Sequence, residues 1–178
     1  MAIFNRLPNL KQIAPVYAIC VIVIYSWTIV WFFWTVPAWL FYLNIWEILL
    51  IYAYLVATNF LESLLVICAP IGLSFILPSR WFRDTFVARG TSLVVLGLGY
   101  FMFLADQFQN RDDYPSILLK LWSVALASGL ILLLVFIVGK TSFIKKAVEF
   151  IAEQATVFLF ISIPISLISL VVVLPRLI

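Results

Sequence analysis

Residues 12–46 read QIAPVYAICVIVIYSWTIVWFFWTVPAWLFYLNIW, a run without one charged side chain. A bilayer core takes roughly 17 to 25 apolar residues of helix, so this stretch alone is long enough to cross it. Four more uncharged runs follow, from Ser63 to Ser79, Gly90 to Ala105, Leu121 to Gly139 and Gln154 to Pro175. What remains between them is too short for a soluble domain. Only 11% of the residues are charged and 66% are hydrophobic, against the charge fraction of about 25% usual in soluble domains. The fold class expected is therefore all-α, a polytopic integral membrane helix bundle of five helices. The spans fall at 13–34, 45–77, 87–105, 117–138 and 142–174, and one bundle takes in residues 1–178.

The start of the chain imitates a signal peptide, with Arg6 and Lys11 ahead of an apolar stretch. That stretch is too long and ends in Trp31, Phe32, Phe33 and Trp34, where a cleavage site needs small residues. It reads as a retained first span.

Basic residues set the orientation. Arg6 and Lys11 precede the first span, Arg80, Arg83 and Arg89 follow the second, and Lys140, Lys145 and Lys146 follow the fourth. The alternate connections hold only Arg111, Lys120 and Arg176, with Asp106, Asp112 and Asp113 beside the first two. Positive charge accumulates on the cytoplasmic side, which gives an N-in, C-out chain. The expected location is a prokaryotic plasma (inner) membrane. The stretch from Pro37 to Pro78 has length for two crossings, but a sixth helix would carry six of the basic residues outside. One helix of roughly 50 Å, bent near Pro70 and Gly72, fits the charges better. Trp27, Trp31, Trp34, Trp39, Tyr42 and Trp46 mark the outer interface, since indole and phenol rings prefer headgroup depth. The last span is entered through an amphipathic turn capped at Thr141 or Ser142. There Lys145 and Glu149 form an i,i+4 pair, and Phe143, Ile144, Ala147, Phe150 and Ile151 are its apolar face. Pro164 should bend that span. Ala125, Ala127, Ser128 and Gly129 suggest a face for close helix packing, and Gly97-Leu98-Gly99 reads as another.

The polar residues inside the spans are few. Glu47, Tyr54, Thr58 and Glu62 fall within about 80° on one helix face, with Asn59 and Ser63 adjoining it. A carboxylate in hydrocarbon is expensive, so Glu62 faces the bundle interior, a wet cavity, or carries a proton. The stripe is a candidate proton, cation or ligand site, or else interhelical glue; Glu47, next to Trp46, is placed at the outer surface. Arg80, Arg83, Arg89, Lys145 and Lys146 form the candidate set for anionic lipid headgroups, and equally satisfy the topology rule alone.

With no histidine in the chain, the commonest general base, the serine and cysteine triads and histidine-containing zinc sites are excluded. Cys20 and Cys68 lie in apolar runs, where no disulfide is expected. Asp106, Asn110, Asp112 and Asp113 lack the spacing of a calcium loop and read as solvated loop. Nucleotide-binding and hydrolase motifs are missing. No catalytic residue, metal ligand or cofactor is expected. The expected partners are membrane lipids, with a second copy or another membrane protein, and no nucleic acid.

Three functional readings follow: a non-enzymatic accessory or assembly component working through helix packing; a small-solute or proton-coupled transporter or channel using Glu62; and a lipid-modifying enzyme using carboxylates of Glu62 or the outer loop. Reporter fusions check the topology. A fusion after Lys146 should report cytoplasm and one after Ile178 the outside; a cytoplasmic C-terminus would overturn the five-span count.

Overall fold

Asn9 and Asn44 open the first two helices in the same way. In the computed structural model, which describes residues 8–78, 82–109 and 121–176, the backbone N–H of Asn9 donates to Gln12 Oε1 at 3.3 Å and that of Asn44 to Glu47 Oε2 at 2.7 Å. Each bond satisfies a backbone donor at a helix start. Helix α1 runs Leu10–Trp39 and α2 Ile45–Ile76. The region from Pro37 to Pro78 thus holds one crossing. At 1.5 Å per residue α2 is about 48 Å long, and it continues through Pro70 and Gly72. Helix α3 spans Phe86–Gln109, α4 Leu121–Lys140, α5 Ser142–Ala155 and α6 Leu159–Val173. A 3-10 turn at Thr156–Phe158 joins α5 to α6, which continues through Pro164. All described elements are helical, and four helical segments have the length and apolarity to span a membrane, the last of them running from Ser142 to Arg176.

Helix α1 is the central post, packing against α2, α3 and α5, while α6 lies mainly along α2 and α4 joins through α3 and α5. Two of its faces do this differently. Ala18 and Ile19 meet the small side chains of Ala152 and Ala155 at the start of the last span. Val16, Cys20 and Ile24 pack with Ile67 of α2, Phe86 and Val94 of α3, and Val135 of α4. Hydroxyl groups link the spans where lipid offers no water. Tyr17 Oη lies 3.1 Å from Ser63 Oγ, and Tyr25 Oη 2.6 Å from Ser166 Oγ, tying α1 to α2 and to α6. Such bonds contribute on the order of 1 kcal/mol each in a bilayer.

Helix α5 is amphipathic. Lys145 Nζ and Glu149 Oε1 stand 3.9 Å apart on it, while Phe143, Phe150 and Ile151 point away from the bundle. Its apolar face is thus left open, while the helix runs on through the Thr156–Phe158 turn into α6. Thr141 precedes α5, but its hydroxyl bonds back to the Ile137 carbonyl of α4.

Close packing falls on other glycines than the sequence suggests. Gly97, Gly99 and Gly129 have open space where a Cβ would sit, and Ala125, Ser128 and Gly129 are exposed. The tight positions are Gly90, whose added Cβ would lie 3.3 Å from both Val16 methyls, and Gly139, where it would run into the guanidinium end of the Arg89 side chain. Arg89 sits between α3 and α4, only 7% exposed, with its guanidinium 5.2 Å from the Phe136 ring centre. A Gly139→Ala change should therefore lower stability. Overpacking costs about 1–3 kcal/mol, more than the roughly 1 kcal/mol that alanine gains in helix propensity. Gly129→Ala, with free space, should gain only the propensity term. Unfolding of both variants in mixed micelles checks the order; a Gly139→Ala variant as stable as Gly129→Ala would remove the packing role.

Candidate functional site: a lateral groove

Helices α2 and α3 both lean on α1 but touch each other much less. The gap between them is a groove of about 900 Å³. Ile24, Trp27 and Thr28 of α1 form its floor, and its walls are helical stripes at three- and four-residue spacing. On α2 the stripe runs from Leu55 to Leu73, a rise of about 27 Å, and on α3 from Leu93 to Ala105. Exposed Leu65 and Phe101 stand on its rim, so the groove opens sideways. A smaller space of about 300 Å³ shares Trp27, Thr28, Leu55 and Ala105 with it and reaches the aromatic end at Trp39.

Polar atoms gather at one place along this apolar channel, near the middle of α2. Thr58, Asn59 and Glu62 of α2 and Thr28 of α1 line it there. Asn59 is buried, and its Oδ1 accepts from Thr28 Oγ1 at 3.0 Å. Thr58 Oγ1 donates to the Tyr54 carbonyl of its own helix at 2.9 Å. Glu62 is exposed toward the groove and makes no hydrogen bond or ion pair among the described residues. The α3 wall, Leu93, Val94, Gly97, Leu98, Phe101, Met102 and Ala105, offers no polar side chain.

The polar residues picked out in the sequence thus divide. Thr58, Asn59 and Glu62 share the groove. Ser63 turns to α1 and bonds Tyr17, Tyr54 is half-buried and outside the lining, and Glu47 closes the N-terminus of α2. Of the basic set, Arg89 is folded into the α3–α4 seam, and its Nε and Nη1 find no hydrogen-bond acceptor among the described residues. Lys145 pairs with Glu149 and Lys146 is exposed. Arg80 and the side chain of Arg83 lie outside the described residues, as do Asn110, Asp112 and Asp113, while Asp106 is half-buried near the end of α3. No group of three metal-ligating side chains occurs among the described residues. Sequence reasoning gave Trp27 to the outer interface, whereas it lines the groove, and it missed Thr28 and the α3 wall as parts of a site. The available signal was Thr28 and Asn59, single polar residues in neighbouring apolar spans that an antiparallel pairing brings together.

Compared with known proteins, the chain matches no family model, resembles no curated protein and superposes on no solved structure.

The Thr28–Asn59 bond is open to a direct test. Thr28→Val keeps the shape but strands a buried amide oxygen, and should cost about 1 kcal/mol. Thr58→Val removes only an exposed bond within one helix and should stay within about 0.5 kcal/mol of the parent. Equal losses in a mixed-micelle unfolding titration would show that the interhelical bond adds nothing.

Proposed function

We propose that this protein is a non-enzymatic membrane protein that binds an amphipathic molecule dissolved in the bilayer, taken in sideways through the α2–α3 groove. The observation that carries the reading is the polar cluster Thr28, Thr58, Asn59 and Glu62 inside an otherwise apolar groove of about 900 Å³. Sites for small ligands enclose about 300–1,000 Å³, are mainly apolar, and use a few polar groups to fix orientation. A tail fits along Leu65, Leu73, Leu93 and Leu98, with its head at the cluster. Among the described residues Glu62 is the only ionisable carboxylate or amine on the lining, which supports an anchor over a paired acid and base. The reading draws on the transporter expectation in its use of Glu62, and the charge pattern supports an N-in, C-out chain in a prokaryotic plasma membrane.

Assembly through helix packing is the second reading, favoured by one observation. Ala125, Ser128 and Gly129, at i, i+3 and i+4 on α4, are exposed and leave room for another backbone. A mass in native detergent above that of one chain, lost in Gly129→Leu, would support it.

Labelling tests the groove. A neutral long-chain alcohol carrying a photoactivatable diazirine should mark peptides containing Leu65 and Phe101. Gly97 lines the groove with open space at its Cβ, so Gly97→Phe should fill it and abolish labelling. Gly99→Phe, at an open position outside the lining, should label like the parent. Equal labelling of both variants would overturn the reading.

A further inference from the structure

We infer that the groove selects a positively charged amphiphile, its ammonium head seated between Glu62 and Trp27. This rests on the groove reading above and names the class of ligand. Glu62 lies at mid-length of α2, among Leu55, Leu65, Val66 and Leu73 on its own wall. To stay ionised, a carboxylate there needs a counter-charge, because hydrocarbon supplies none.

Among the described residues the groove holds no basic side chain, and the donors that share the lining with Glu62 are the neutral Asn59 amide and the Trp27 indole N–H. The α3 wall is wholly apolar, Thr58 spends its hydroxyl proton on the Tyr54 carbonyl, and Thr28 spends its own on Asn59. The basic side chain next along α3, Arg89, is enclosed beside Gly139 and Phe136 and is no part of the lining. The complement therefore has to arrive with the ligand.

Aromatic rings strengthen the choice of a cation. Trp27 and Phe101 also line the groove, and ring faces attract alkylammonium groups most strongly where water is excluded. A metal cation fits poorly, since one carboxylate and the three side-chain oxygens of Thr28, Thr58 and Asn59 fall short of the six to eight oxygens that calcium takes. An anionic head would stand like charge against Glu62.

The experiment uses the full chain in zwitterionic nanodiscs and three probes of equal tail length, with trimethylammonium, hydroxyl and sulfate heads. Binding is read from quenching of tryptophan fluorescence and from diazirine labelling, corrected for partition into protein-free discs. The ammonium probe should bind about tenfold tighter than the alcohol, and the sulfate weakest. Glu62→Gln should cut the preference for ammonium over alcohol from about tenfold to the share the aromatic rings supply, about threefold or less, and should remove the disadvantage of the sulfate. Equal affinities of the three heads for the parent protein, or an ammonium preference undiminished in Glu62→Gln, would overturn charge selection while the groove reading stands. If the variant fails to fold, the head-group series on the parent decides alone. Failure of all three probes to bind or label would overturn the groove reading itself.

Discussion

Helix α1 has to bury two faces against helices of different kinds, and the arrangement of the other helices follows from how it does so. In lipid the apolar surface of a helix gains little by meeting another, so association depends on close packing and on polar bonds between spans. Ala18 and Ile19 admit the small face of Ala152 and Ala155, which brings the start of the last span against the post. Tyr17, Tyr25 and Thr28 reach across to Ser63, Ser166 and Asn59 and set how α2 and α6 stand beside it. The rest of α1 receives α2 and α3 together.

The groove is the geometric consequence of that sharing. Two helices leaning on one post stay apart unless their facing residues interlock. The α3 wall presents Gly97 and the α2 wall Ala69, neither of which bridges the gap. Lower down the same helices close up, where Gly90 lets Val16 and Pro70 come near. Placing Glu62 and Asn59 beside the open part, with Asn59 held by Thr28, concentrates the polar chemistry where lipid-sized molecules have access. A carboxylate placed there adds nothing to helix packing, and that is the reason to read it as an anchor.

At the basic end, charge and packing are joined. Arg89 lies flat on Gly139 and over Phe136, so the last turn of α4 is shaped around a guanidinium. A cation in that seam also faces the C-terminal end of α4, where the helix dipole is negative. Positive charge counted in the sequence as a topology signal has here also become part of the core.

The sequence by itself determined that the chain is an all-helical bundle with helices long and apolar enough to cross a membrane, because the length of an uncharged run is a local property. It also marked Thr58, Asn59 and Glu62, since polar groups stand out against hydrocarbon-compatible neighbours. Which of the polar residues share a site was decided by tertiary structure alone. Periodicity joined Glu47 and Tyr54 to Glu62, whereas Glu47 serves as a helix cap and Ser63 turns inward to Tyr17. The glycines divide in the same way: Gly90 and Gly139 are at close approaches, while Gly97 opens onto the groove. The physical reason is that a helix's own residues specify its faces, but what each face meets depends on side chains from helices far along the chain, whose pairing no local pattern encodes.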